Sequence, residues 1–155
     1  MRKNLRLGGF DYRAEGPYFV TVCTNGRRCL LGSVRDGLMI PGPAGEVVLR
    51  EWLALPGRFP CLILDEFTLM PNHFHGILAF ATDDFANPTL GRVMGALKSV
   101  SAVKMGPLIG VRPAHVWQRV YHDHIIPNNR GLDAVREYIR ENPRNWEKDS
   151  LRGEG

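Results

Sequence analysis

The sequence has no long apolar run, since no stretch approaches the roughly 18 to 20 apolar residues of a membrane-spanning helix. Its first residues, Met1 to Arg6, show no apolar core of the kind that secretory signals carry. Cysteine is scarce, and Cys23, Cys29 and Cys61 are odd in number with no Cys-x-x-Cys pair. This pattern indicates neither a disulfide framework nor a zinc knuckle. We therefore expect a cytoplasmic protein that does not act at a membrane.

The remaining composition is that of an ordinary globular domain. The 155 residues are 44% hydrophobic and 23% charged, which is enough to build one compact core. No internal repeat or low-complexity tract divides the chain. We expect a single domain over 1–155, with a basic arm at 1–16 and a tail at 147–155 that could be disordered.

Charge is distributed unevenly along the chain. The formal net charge is +4 and the sequence pI is about 9.2. Basic residues dominate 1–28 and 91–130, whereas acidic residues dominate 43–90. Two basic blocks around an acidic one favour an anionic partner such as nucleic acid, because phosphate attraction is the sequence-independent part of nucleic-acid binding. The alternative is a solvated surface without a partner.

Hydrophobic periodicity and turn residues predict an α+β protein. The predicted strands cover 18–24, 61–70, 73–80 and 116–126, and the predicted helices cover 44–55, 90–103 and 132–142. Apart from the last helix, this order is β-α-β-β-α-β with a hairpin in the middle. It predicts a ferredoxin-like or RRM-like sandwich, an antiparallel sheet with two helices on one face, and an additional C-terminal helix. The segment between 25 and 43 is predicted to be loop.

The stretch Pro71-Asn72-His73-Phe74-His75-Gly76 lies between two of these apolar strands. On an extended backbone, residues two apart point to the same face, so His73 and His75 leave the sheet together while Phe74 enters the opposite face. Two imidazoles side by side are half of a metal site. The alternative is a pair of polar residues on a solvated face.

The last predicted helix carries Tyr138 and Asn142 one turn apart on nearly the same face. Two helices already cover one face of the sheet, so this third helix is expected on the other face, where the histidines project. Tyr138 and Asn142 would then meet His73 and His75. Alternatively, Tyr138 is a half-buried aromatic edge and Asn142 an ordinary helix end before Pro143.

The chain contains five motifs in order: Arg6-Leu7-x-Gly9-x-Asp11-Tyr12 leading to the strand at 18–24, His73-Phe74-His75, Leu90-Gly91-x-x-x-Gly95-Ala96-x-Lys98-Ser99, Trp117-Gln118-Arg119 with Tyr121-His122-Asp123-His124-Ile125-Ile126, and Glu137-Tyr138-Ile139-x-x-Asn142-Pro143-x-x-Trp146. In this order they resemble the single-tyrosine HUH transposases, in particular the branch of REP-associated tyrosine transposases. They extend over most of the chain, from about residue 6 to 146.

The resemblance implies a role for each matching residue. His73 and His75 fall on the family's metal-ligating histidines, Asn142 on its polar third ligand and Tyr138 on its nucleophile. It also implies Mg²⁺ or Mn²⁺ as cofactor, single-stranded and hairpin DNA as partner, and a 5′-phosphotyrosine intermediate in cutting and rejoining DNA near hairpins. Related enzymes occur as monomers and as dimers, so a homodimer is an open expectation.

Basic side chains in the two positive blocks are candidates for contacts to the DNA backbone. These candidates are Arg6, Arg13, Arg27, Arg28, Lys98, Lys104, Arg112 and Arg119. His122 and His124 are conceivable helpers in proton transfer, and Tyr121 is a rival nucleophile. Two other functions stay open: an RRM-like domain that binds nucleic acid without cutting it, and another HUH nuclease such as a replication initiator or relaxase.

Overall fold

The computed structural model describes residues 16–82 and 86–152. The predicted basic arm, with Arg6 and Arg13, lies outside the described residues. In chain order the elements are β1 (Tyr18–Cys23), β2 (Gly32–Arg35), β3 (Leu38–Pro41), α1 (Pro43–Arg58), β4 (Leu62–Met70), β5 (His73–Phe80), α2 (Leu90–Ile109), β6 (His122–Ile125) and α3 (Asn129–Glu141). Among the described residues, no helix is both long and apolar enough to cross a bilayer.

Four strands form one antiparallel sheet in the order β4-β5-β1-β6. The hairpin β4–β5 places its second strand beside β1, and β6 pairs with the free side of β1. This is the strand order that a β-α-β-β-α-β chain takes when its two helices cross one face of the sheet. The predicted ferredoxin-like α+β sandwich with an added C-terminal helix is therefore confirmed.

The face of the sheet under α1 and α2 holds the larger core. Trp52 and Phe74 are both fully buried there, with ring centroids 5.0 Å apart. A Cβ atom at Gly76 would come within 2.6 Å of the Trp52 ring, so the residue after the histidine pair must be glycine for the indole to lie against β5. Phe74 thus points away from both neighbouring histidines, as the strand period predicted.

The opposite face carries a smaller apolar cluster beneath α3. From the helix, Leu132 and Ile139 are the buried contributions, and Ile63, Ile77 and Ala79 supply the sheet side. The apolar contact between α3 and the sheet is small, and ion pairs also join the two. Arg136 donates two hydrogen bonds to the carboxylate of Asp65 on β4, at 2.8 and 2.7 Å.

The segment between β1 and α1, predicted to be loop, contains the hairpin β2–β3. Its turn is Asp36-Gly37, and both residues have positive φ, 53° and 75°. Such a turn matches the twist of two antiparallel strands, and the Asp-Gly pair was the available signal for it.

Several element boundaries differ from the prediction, and helix α3 begins at Asn129 rather than at 132. The fourth strand of the sheet is His122–Ile125 rather than 116–126, because a short 3-10 turn at Pro113–His115 and a single bridge from Trp117 to Thr24 occupy the preceding residues. Helix α1 continues through Pro56 to Arg58, and α2 continues through Pro107 to Ile109. In both helices the proline lies two residues before the end, so the lost backbone hydrogen bond belongs to the last turn.

Candidate functional site

His73 and His75 leave β5 on the face that α3 partly covers, and both are almost completely buried. Their ring centroids are 4.6 Å apart. Each Nδ1 has a polar neighbour: Asn72 Oδ1 lies 2.8 Å from His73, and Thr21 Oγ1 lies 2.7 Å from His75. Each Nε2 is buried without a hydrogen-bond partner among the described residues. The two imidazoles therefore present the same atom, unsatisfied, to the same side of the sheet.

Burial also decides the charge of these rings. It lowers the pKa of His75 to about 3, with the neighbouring His73 as a second cause. Burial lowers the pKa of His73 as well, against an opposing contribution from Asp149. Both imidazoles are consequently neutral near pH 7, the form in which a ring nitrogen can donate a lone pair to a cation.

Helix α3 and its end bring Tyr138 and Asn142 to the histidines, as the one-turn spacing predicted. The Tyr138 ring centroid lies 5.6 Å from that of His75, and 48% of the tyrosine is exposed. Asn142 is buried beside His73 and raises the pKa of that histidine, yet no hydrogen bond of good geometry satisfies its Oδ1. A cavity of about 270 Å³ adjoins them, lined by Tyr138, Asn142, Asn145, Lys148, Asp149 and Ser150.

Asp149 is a member of the site that the sequence did not reveal. It follows the 3-10 turn Trp146–Lys148, within the tail predicted from residue 147 onward. Its Oδ2 lies 3.6 Å from His73 Nε2 and is also buried without a hydrogen-bond partner. No motif marked this residue, because its approach to His73 depends on how the chain turns back after α3.

Unsatisfied buried polar atoms are uncommon in folded proteins, and four of them gather here: Nε2 of His73, Nε2 of His75, Oδ1 of Asn142 and Oδ2 of Asp149. The two oxygens can only accept a hydrogen bond, and each Nε2 does the same in the tautomer that carries its hydrogen on Nδ1. In that state the four atoms repel one another unless a proton or cation lies among them. Within 16–82 and 86–152, no three His, Cys, Asp or Glu side chains converge closely enough to hold a metal ion by themselves. A cation bound here would therefore depend on the Asn142 carboxamide, and nitrogen and oxygen donors of this kind suit Mg²⁺ or Mn²⁺.

Aromatic and histidine rings extend the site towards the edge of the sheet. Phe19 on β1 contacts His75, Tyr138 and His124, with ring centroids 5.1, 6.2 and 5.2 Å apart. His124 is thus separated from the Tyr138 phenol by one ring, and His122 is exposed on the same strand. Tyr121, the rival nucleophile, packs instead against the larger core on the other face, near Gly91 of α2.

The predicted DNA contacts fall into two groups. The ammonium of Lys98 donates to the carbonyls of Gln118 and Arg119, both at 2.8 Å, and that of Lys104 is 2.6 Å from a Glu51 carboxylate oxygen. Both lysines therefore already have partners on neighbouring segments of the fold. The side chains of Arg27, Arg28, Arg112 and Arg119 are exposed. Among these, Arg27 reaches the rim of the cavity, where its guanidinium is 3.4 Å from the Ser150 carbonyl.

Known proteins of similar sequence and fold were compared with the chain. No family model matches the sequence. An uncharacterized protein of Haemophilus influenzae is 32% identical over 97% of this chain and 92% of its own length.

Two solved structures share the fold. A REP-associated tyrosine transposase bound to a REP hairpin has a TM-score of 0.59 at 20% identity, covering 85% of this chain and 68% of that one. A candidate transposase from Deinococcus radiodurans R1 has a TM-score of 0.55 at 17% identity, covering 90% of this chain and 96% of that one. The resemblance predicted from the sequence is thus confirmed at the level of the fold. The chain belongs to the family of the Haemophilus influenzae protein, and its fold is like that of the REP-associated tyrosine transposase.

Proposed function

We propose that this protein is a transposase-like enzyme that cuts and rejoins single-stranded DNA near hairpins, with Tyr138 as the nucleophile. One observation carries the proposal: an exposed phenol and a buried carboxamide, one helical turn apart on α3, adjoin two buried neutral imidazoles on β5. Packing alone gives no reason to bury four unsatisfied polar atoms together.

His73, His75 and Asn142 would hold Mg²⁺ or Mn²⁺. When bound, such a cation polarises a phosphate and offsets the charge that develops on it. The chain's own contribution is to keep the two imidazoles neutral by burial, and to orient each ring through the polar neighbour at its Nδ1.

The chemical step is an exchange of esters at one phosphorus atom. The Tyr138 oxygen forms a bond to phosphorus as the phenol loses its proton, and the bond from phosphorus to the 3′ oxygen breaks. The 3′ oxygen takes up a proton and leaves as a hydroxyl, and the DNA stays attached as a 5′-phosphotyrosine. Attack by another 3′-hydroxyl reverses the exchange and joins a new strand without an external energy source. His124, one ring away from the phenol, is the closest of the two proposed helpers to Tyr138.

The Tyr138 ring lies 5.6 Å from the His75 ring of the same chain, between centroids, so we propose that the nucleophile and the histidines act within one chain. The exposed arginines near the site, Arg27 above all, would hold the DNA backbone. Because Arg27 contacts a residue that lines the cavity, we expect it to affect binding of hairpin DNA more than Lys98 and Lys104, whose partners do not line it.

The test is incubation of the protein with labelled single-stranded DNA hairpins carrying short single-stranded flanks, in Mn²⁺ and in EDTA. We expect a covalent adduct that survives denaturing electrophoresis and appears only with the metal ion. Tyr138→Phe should abolish the adduct while hairpin binding persists, because only the attacking oxygen is removed. Tyr121→Phe is the matched control and should form the adduct normally.

Two results would overturn the proposal. If the wild type binds hairpins but yields no adduct with either metal ion, the protein is a binding domain rather than a nuclease. If the Tyr138→Phe variant still forms the adduct, another residue is the nucleophile. A preference for a replication-origin sequence over hairpins would instead support another HUH nuclease.

A further inference from the structure

Asn72, in the turn before β5, is buried at the meeting point of three chain segments. Its Nδ2 donates to the backbone carbonyls of Arg27, Leu151 and Arg152, at 3.1, 2.6 and 3.2 Å. Its Oδ1 lies 2.8 Å from Nδ1 of His73. One carboxamide therefore connects the end of β1, the residues after α3 and the first histidine of the site.

The three carbonyls determine which way this carboxamide points. A carbonyl oxygen can only accept a hydrogen bond, so the side of Asn72 that faces all three must carry the amide hydrogens. The reverse orientation would place Oδ1 against three oxygen atoms and leave every one of them without a hydrogen. Oδ1 must therefore face His73, and the orientation follows from the surrounding backbone rather than from the histidine.

An amide oxygen facing an imidazole nitrogen at 2.8 Å requires a hydrogen between them. Because Oδ1 can only accept, the hydrogen belongs to Nδ1 of His73. A neutral imidazole has one N–H, so Nε2 is then left with a free lone pair. Nε2 is the atom that lies buried without a partner, near Asp149.

We propose that Asn72 is a positioning residue: it holds His73 in the tautomer with hydrogen on Nδ1, and so keeps Nε2 available as a ligand for the cation. The relevance to a cation rests on the proposed function, whereas the tautomer itself does not. The C-terminal segment, residues 149–152, is part of the same device, since two of the three carbonyls that orient Asn72 belong to it.

His75 has a different kind of neighbour and provides the comparison. Its Nδ1 lies 2.7 Å from the hydroxyl of Thr21, which can donate or accept. A hydroxyl alone does not determine the tautomer of the ring beside it. Removing it with Thr21→Val is expected to affect His75 and leave His73 unchanged, so this variant is the matched control.

The first test uses the wild-type, metal-free protein without DNA. Long-range proton–nitrogen correlation spectra of protein labelled with ¹⁵N-histidine distinguish the two tautomers of each ring. We expect His73 to show a protonated Nδ1 and a bare Nε2 at neutral pH. A bare Nδ1, or a mixture of the two tautomers, would overturn the proposal. The outcome does not depend on cleavage, so it can fail or succeed separately from the proposed enzyme activity.

Two variants distinguish the roles of the two polar atoms of the Asn72 carboxamide: Nδ2, which donates to the carbonyls, and Oδ1, which accepts from His73. Asn72→Asp keeps an acceptor for His73 but cannot donate to the carbonyls, so we expect Nδ1 to stay protonated while the amides of Leu151 and Arg152 exchange faster with solvent. Asn72→Ala removes the acceptor, and we expect mixed tautomers of His73 and about tenfold weaker binding of Mn²⁺, followed through paramagnetic broadening.

Thr21→Val should leave the His73 spectrum as in the wild type. Unchanged His73 tautomer and unchanged Mn²⁺ affinity in a folded Asn72→Ala variant would contradict the proposal.

Discussion

The two faces of the same four-stranded sheet differ in how they use buried atoms. Under α1 and α2, aromatic and aliphatic side chains such as Trp52 and Phe74 fill a continuous apolar core. Under α3 the apolar cluster is small, and beside it lie four buried polar atoms that have no hydrogen-bond partner within 16–82 and 86–152. Burial of apolar surface stabilises the fold, whereas burial of an unsatisfied polar group destabilises it. Apolar burial on the first face therefore offsets the free-energy cost of the unsatisfied polar atoms on the second face.

Strand β5 shows the contrast residue by residue. Phe74 belongs to the stabilising face, and His73 and His75 on either side of it belong to the other. Substitutions at neighbouring positions of this strand should consequently have different effects. Those at Phe74 should lower stability, and those at His73 or His75 should abolish activity.

The largest expected effect is the loss of DNA cleavage in His75→Ala. Removing a ligand from a site that polarises the scissile phosphate should lower the rate by at least about 1,000-fold. Rates of adduct formation in Mn²⁺ would measure this. Phe74→Leu is the adjacent control, and once folded it should cleave at close to the wild-type rate. A His75→Ala rate within about tenfold of wild type would contradict the assignment of cleavage to the face that carries His75.

The next largest effect is on stability. Phe74→Ala should lower the free energy of unfolding by about 3 to 5 kcal/mol, because it leaves a cavity beside Trp52 in a closed apolar core. Phe19→Ala, on the other face, should cost clearly less, since Phe19 is only partly buried and its neighbours can move into the space. Urea denaturation of both variants measures the difference. Equal losses would show that the two faces contribute alike.

The free energy of unfolding should also decrease as the pH is lowered, because of the buried histidines. An unfolded His75 takes up a proton below its ordinary pKa near 6.5, whereas the folded residue stays neutral down to a pKa of about 3. The stability that depends on the neutral ring is fully present above the pKa of the unfolded histidine. It is lost as the pH falls towards the pKa of the folded residue. For His75 alone the loss between about pH 7.5 and pH 5 is about 2 kcal/mol.

Urea denaturation of metal-free wild type at the two pH values measures this loss, and His75→Gln should show a smaller one. Wild-type stability that is unchanged or higher at the lower pH would contradict the neutral state assigned to this ring. The lowered pKa of His73 acts in the same direction.

The smallest effect concerns the ion pairs that hold α3 on the sheet. Arg136→Met removes two short hydrogen bonds to a largely buried Asp65, and we expect a loss of about 1 to 2 kcal/mol together with slower cleavage. Arg140→Met breaks an exposed pair with Glu66 and should change stability by less than about 0.5 kcal/mol. Denaturation and adduct formation would be measured for both. Similar behaviour of the two variants would show that the Asp65 pair does not position Tyr138.

Local periodicity accounts for most of what could be predicted. The alternation around Phe74 predicted that the histidines point away from the larger core. The helical spacing of Leu132 and Ile139 predicted that Tyr138 lies on the side of the helix that faces the histidines. The hairpin β2–β3 was missed although Asp36-Gly37 marked its turn, because its strands are short and lie outside the main sheet. Strand β6 was predicted too long, because the backbone before it makes only a single bridge, from Trp117 to Thr24, while the Trp117 indole donates to Ser101 of α2.

The groups that complete the site could not be predicted in this way. Asn72 contacts the carbonyl of Leu151, 79 residues away, and Asp149 contacts His73 across a similar separation. Neither residue belongs to a periodic pattern. Lys98 and Lys104 were predicted to contact DNA from the sign of their charge, and this stays a prediction; the partners that both have inside the fold could not be foreseen from charge alone.

The sequence by itself determined which side chains share a face of each strand and helix, and hence that two imidazoles, a phenol and a carboxamide could meet. This follows because the strand and helix periods are properties of the local backbone. Only the tertiary structure decided which atoms of those groups are satisfied, which way the Asn72 carboxamide points, and that a carboxylate from the C-terminal segment adjoins His73. Those features depend on where distant segments come together, and contacts between distant segments leave no periodic trace in the chain.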